Sequence, residues 1–134
     1  MTEARVQRIY EDRVTAREFL EQAEVFMRDA RKAGLDAISQ AVLLHNATVC
    51  ACDAILQAAG LRVTAGDRSH TLRIETALDQ VDDDTDDLLD RLDASRELRN
   101  EASYRAGFVA RASVAESHDA TSELITLARA VIEA

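Results

Sequence analysis

No proline occurs anywhere in this 134-residue chain, and only 4 glycines do. Proline breaks helices by removing an amide donor and crowding the preceding turn. A chain without it can run long helices from end to end. Alanine, leucine, glutamate, aspartate and arginine dominate, and aromatic residues make up only 4%. β-Branched residues and turn signals are too few for a sheet protein. The fold class is therefore all-α. At this length, with no linker, low-complexity tract or internal repeat, residues 1–134 read as one domain able to bury a core.

Apolar periodicity divides the chain into five helices. The first spans about Glu3 to Ala33, with Ala16, Phe19, Leu20, Ala23, Phe26, Met27 and Ala30 on one stripe. Its first eleven residues are more polar and read as an extension that frays or packs on a partner. Gly34 suits the left-handed residue beyond its end. The second helix, about Asp36 to Ala59, is apolar nearly all round and stops at Gly60, as a central helix does. A thin polar seam of Ser39, Asn46, Asp53 and Gln57 crosses it. The third helix is short, about Ser69 to Val81. Asp82, Asp83 and Asp84 cap a fourth that runs to about Ser103. Ser113 and Glu116 form a capping box that opens the last. Such a series packs as an up-and-down bundle of four or five helices with antiparallel neighbours.

The net charge of −9 argues against broad, nonspecific binding to a nucleic-acid backbone and leaves room for a local basic site. No run of about 20 apolar residues stands out as a membrane span, and no apolar leader opens the chain. Cys50 and Cys52 are two apart on a helix, so they point about 200° away from each other and do not bridge. Inert thiols in a reducing compartment are the reading, and a cytoplasmic location follows as an expectation.

The segment richest in chemistry is Arg96 to Gly107. Leu88, Leu92, Ser95, Arg99 and Ala102 recur at spacings of three and four, which sets an arginine in line with core leucines. An arginine there is paired, covers a subunit interface, or holds an anion, because an unpaired buried charge is too costly to keep. On the structural reading, Arg96 and Arg99 pair with Asp53 or with acids on a neighbouring helix. On the functional one, Arg99, Asn100 and Tyr104 hold an RNA or nucleotide phosphate, since the planar guanidinium donates two hydrogen bonds to one phosphate. Arg96 and Arg105 flank that pocket, and Asn46 and Asp53 orient the arginines from the central helix.

Other constellations dissolve on inspection. The acidic run at 82–87 lacks the glycine and the bidentate glutamate of an EF-hand loop and reads as a helix cap. No Glu-x-x-His pair supports a di-iron site, so no metal is expected. No glycine-rich phosphate loop or nucleophile elbow appears, and no cofactor is expected. His45 and His118 lie on apolar stripes and read as hydrogen-bonded core or interface histidines. His70 reads as local packing or capping at the start of the third helix.

Two stretches resemble the HEPN domain, a bacterial and archaeal helical-bundle family. One is Leu44 to Leu56 leading through Gly60 to His70; the other is Leu98 to Tyr104, followed by a short loop and an alanine-rich last helix. The likeness covers about residues 12 to 133 and implies an HEPN-like bundle that works as a homodimer. Active members of that family are metal-independent ribonucleases with an arginine, often followed by a polar residue, and a histidine four to six residues after the arginine. Arg99 and Asn100 match the start of that pattern, but Tyr104, Arg105 and Ala106 occupy the histidine's place.

A tyrosine with an ordinary pKa near 10 is a poor substitute for imidazole in acid–base work. The resemblance thus implies a catalytically degenerate module that binds RNA or a nucleotide phosphate. It also implies a minimal nucleotidyltransferase as partner in a toxin–antitoxin-like pair. Two alternatives remain: a metal-independent endoribonuclease, and a plain interaction protein whose arginines only close a dimer.

Overall fold

The computed structural model describes residues 2–104 and 111–134; for residues 99–104 it describes the helical backbone and not the side chains. The elements in chain order are β1 (Val6–Arg8), α1 (Arg13–Ala30), α2 (Ala37–Ala59), β2 (Leu61–Val63), α3 (Ser69–Asp79), α4 (Asp86–Tyr104) and α5 (Arg111–Glu133).

The helix starts are set by side chains. Asp12 accepts from the Thr15 amide at 2.9 Å and from its hydroxyl at 2.7 Å, which starts α1 at Arg13. Asp36 accepts from the Ser39 amide at 2.7 Å and starts α2. Each satisfies an amide that the first turn leaves without an intrahelical partner. In both cases the backbone bond holds the carboxyl below its ordinary value.

The first helix is therefore shorter than the periodicity predicts. The residues before Asp12 are extended and pair antiparallel with β2, in register Val6 to Val63, Gln7 to Arg62 and Arg8 to Leu61. Gly60 makes this possible. Its left-handed backbone (φ 72°) ends α2, and a Cβ there would stand 2.9 Å from the Ile9 carbonyl oxygen. The chain reverses tightly enough for 61–63 to lie beside 6–8, and the ribbon satisfies backbone groups that a longer α1 would have bonded internally. At the other end, α5 begins at Arg111, so Ser113 lies in its first turn and not at the expected cap.

The long helices form an up-down-up-down bundle. Gln40 of α2 donates to the Ala30 carbonyl at the end of α1, while the Asp12 amide donates to Gln57 at the opposite end. Arg31 meets His118, Arg129 meets Glu24, and Arg13 donates to the Ile132 carbonyl, so α5 runs antiparallel to α1. Arg91 reaches Glu123, and Ser95 bonds Ser117, so α4 runs antiparallel to α5. α3 packs as a short brace against α2 and α4. The expectation of an all-α bundle holds in outline, with the small ribbon added.

α2 is central and touches all four other helices. Leu44, Ala47, Ala51, Cys52, Ile55 and Leu56 are essentially inaccessible and meet Leu92 of α4 and Leu124 of α5. By length and composition α2 is also apolar enough to cross a membrane, although no uninterrupted run of about 20 apolar residues marks it in the sequence. Most of it is buried by its neighbours, the position of a core helix. The Cys52 thiol is sealed in this core, and burial pushes it far above the ordinary thiol range. Cys50 and Cys52 are both free.

Candidate functional site

A charged seam joins α2 to α3. Asp53 sits on the flank of α2, two turns from Asn46 on the same stripe, and both are half-buried. Asp53 Oδ1 accepts from Arg73 Nε at 3.1 Å; the two side chains are 26% and 16% exposed, so the pair is largely out of water. Burial pushes the Asp53 carboxyl up, and Arg73 pulls it only part of the way back. Arg73 Nη1 in turn lies 3.4 Å from His70 Nδ1, one turn earlier on α3. The His70 ring stands edge-on to the buried His45 of α2, with centroids 5.0 Å apart.

This line of groups has a direction. Arg73 has no acceptor, so the contact with His70 requires Nδ1 to accept and places the ring proton on Nε2. Asp53 neutralises Arg73 and fixes its fork, and Arg73 fixes the orientation of His70. An oriented imidazole at the end of a charged pair, beside a second imidazole, can hold and pass a proton or donate to an anion. Cys50 lies on the same flank, where burial and the Asp53 charge raise its thiol, so it acts as an inert wall.

α4 closes the neighbouring side. Arg96 donates to Asp93 at 3.1 Å, and Asp93 lines a cavity of about 160 Å³ with Thr71, Ile74, Glu75, Leu89 and Asp90. Thr71, Ile74 and Glu75 are on α3, so the Arg96–Asp93 pair lies where α4 meets α3. Register places the next turn of α4 close by. Ser95 bonds Ser117; Thr121, one turn on, bonds Thr48; α2 and α5 run parallel. Ser95 is therefore level with Leu44 and His45, and the backbone of residues 99–104 continues past them toward the start of α2.

The sequence-predicted residues divide accordingly. Asp53 belongs to the seam and Asn46 lies on its stripe. Arg96 lies where α4 meets α3. The side chains of Arg99, Asn100 and Tyr104, and the whole of Arg105, lie outside the described residues. One pairing differs from expectation: Asp53 is joined to Arg73 and Arg96 to Asp93, so Asp53 does not orient Arg96. The reason is geometric, because α3 lies against the Asp53 flank of α2 and supplies the nearer cation.

No spacing in the sequence singles out Arg73, and the place of His70 in the first turn of α3 predicts local packing or capping. A basic residue three after a histidine in a helix's first turns is a signal, but a weak one without a partner on α2. His118 is accounted for elsewhere: its Nε2 accepts from Arg31 Nε at 2.8 Å, on the opposite side of the bundle. Among the described residues no group of three or more histidines, cysteines or carboxylates could hold a metal ion.

Comparison with protein-family models, with curated proteins and with solved structures finds no match to this chain.

Proposed function

We propose that the chain is an HEPN-like, catalytically degenerate module that binds an RNA or nucleotide phosphate through Arg99 and Asn100. Arg96 and Arg105 flank the ligand, Tyr104 lies at its edge, and the seam of Asp53, Arg73, His70 and His45 backs the site. The observation that carries the reading is the continuation of the α4 backbone through residues 99–104, one turn past Ser95, which stands level with the His45 end of the seam. The helix order and the central, nearly all-apolar α2 support the HEPN-like fold. On the same resemblance the module forms a homodimer through the α4 face and works beside a minimal nucleotidyltransferase in a toxin–antitoxin-like pair; its free thiols fit a reducing, cytoplasmic compartment.

The test is fluorescence anisotropy with a labelled single-stranded RNA. Arg99→Ala is expected to abolish binding while far-ultraviolet circular dichroism stays unchanged. Undiminished affinity in that variant sinks the site.

One observation favours a second reading, a metal-independent endoribonuclease. Two histidines, His45 and His70, are in ring contact on the α2–α3 side of the bundle, and an imidazole within reach of the substrate supplies acid–base help worth ~10²- to 10⁴-fold. Cleavage of mixed RNA in EDTA by the wild type, lost in His70→Ala, selects this reading. An uncleaved substrate returns the choice to binding alone.

A further inference from the structure

A second basic pocket lies across the bundle from the seam, where the end of α1 meets the starts of α2 and α5. It is a cavity of about 290 Å³ lined by Arg31, Gln40, Arg111 and His118, with Leu44 and Val114 among its apolar walls. Arg31 is the residue that caps α1, and Arg111 opens α5. The only side-chain partner of Arg31 among the described residues is a histidine nitrogen, His118 Nε2 at 2.8 Å. To accept that bond the imidazole nitrogen must be unprotonated. No carboxylate among the described residues lies within ion-pair reach of Arg31 or Arg111.

Arg5, Arg8, Arg17, Arg28, Arg62 and Arg68 likewise have no ion-pair partner among the described residues; what sets Arg31 and Arg111 apart is that one cavity holds both. Arg73, Arg91, Arg96 and Arg129 each have a carboxylate partner. Here two guanidiniums share one concavity, and no carboxylate among the described residues pairs with either. Like charges so placed are stabilised by a bound counter-charge. Guanidinium forks match tetrahedral oxyanions, and the first turn of a 23-residue helix adds its positive end to the same wall. Gln40 adds an amide whose Nε2 already donates to Ala30, so it is held in place at the rim. The volume accommodates one phosphate and part of its carrier, below the range that encloses a larger ligand.

We infer that this pocket, formed by Arg31, Arg111, Gln40 and His118, binds the phosphate group of a small ligand. The inference uses none of the residues assigned to the RNA site and does not rest on that reading. Arg31 and Arg111 supply charge and hydrogen bonds to the phosphate oxygens, and His118 positions Arg31 through the Arg31 Nε.

The test is isothermal titration of the full chain with inorganic phosphate, adenosine monophosphate and adenosine. Phosphate and the monophosphate are expected to bind and adenosine is not. Tighter binding of the monophosphate than of phosphate identifies a nucleotide as the source, and equal binding identifies the phosphate alone. Arg111 is exposed at a helix start, so Arg111→Ala leaves the core intact and is expected to weaken binding about tenfold or more. Arg31→Ala does the same, and Arg31→Lys, which keeps the charge and loses the fork, falls between. Arg62→Ala, on β2 and bonded to Gln7, changes nothing. The inference is overturned if neither phosphate nor the monophosphate binds in the millimolar range. It is equally overturned if adenosine binds as well as the monophosphate, or if affinity survives both Arg31→Ala and Arg111→Ala.

Discussion

Two polar seams run along α2 on different faces, and they are built on opposite principles. Toward α5 and α4 the seam is neutral. Thr48 meets Thr121 at 3.2 Å, Thr121 donates to the Ser117 carbonyl at 2.8 Å, and the Ser117 hydroxyl bonds Ser95. All four residues are buried, and each small hydroxyl finds its partner on a facing helix or within α5. Toward α3 the seam is charged. It begins with a half-buried Asp53–Arg73 pair and ends at His70, whose residue is exposed. The first is closed and satisfied, and it sets the register of three helices. The second opens on solvent and contains groups that titrate. Polar burial in a helical core thus serves architecture on one face and chemistry on the other, and the difference lies in whether the chain of groups reaches the surface.

The charged seam breaks with the larger effect. Arg73→Ala strands a carboxylate that is already disfavoured by burial, and a loss of about 2–3 kcal/mol is expected in urea unfolding at neutral pH. The pH dependence carries the signature. The folded-state pKa of Asp53 stands above its ordinary 3.8, so the folded state holds the proton more tightly than the unfolded chain. Its contribution to stability is then greatest in acid and shrinks as pH rises from the unfolded value through the folded one. Removing Arg73 raises the folded value further and steepens that decline. A variant whose stability falls equally at acid and neutral pH contradicts the ion-pair account.

The neutral seam is expected to yield less. Thr121→Val removes the acceptor of the buried Thr48 hydroxyl and costs about 1–2 kcal/mol. That loss is flat across the carboxylate range, since nothing in this seam titrates there. Adding Thr48→Val recovers part of it, because the orphaned group goes too, and a double-mutant cycle reads the coupling directly. Simple additivity breaks the claim that these hydroxyls form one network.

Asp53→Asn is a finer probe. It keeps a hydrogen-bond acceptor for Arg73, leaves the guanidinium without its counter-charge and abolishes the titration, so the stability-against-pH profile flattens with a loss of about 1 kcal/mol near neutrality. The smallest effects belong to the exposed helix caps. Asp36→Ala lowers the melting temperature. Because Ser39 holds the Asp36 carboxyl below 3.8 in the folded state, the deficit is full above that value and vanishes as pH falls through the depressed one. Asp12→Ala follows the same course through Thr15. A deficit that persists in strong acid removes the capping explanation.

Much of the bundle was legible before any coordinates. The absence of proline, the apolar stripes at 3.6-residue spacing and the stop at Gly60 determined how many helices form, in what order, and that α2 lies at the centre. The inward positions Leu88, Leu92 and Ser95 followed from spacing alone. These properties are local, set by the period of the side chains along one helix. What the tertiary structure decided is which partner each polar group meets. The start of α1 at Arg13 depends on a backbone ladder with residues 61–63. Asp53 belongs to Arg73 because α3 folds back on that flank of α2. Arg31 meets His118 across 87 residues of chain. No periodicity encodes such pairings, because a hydrogen bond is short and directional and its partner is chosen by the packing of whole helices.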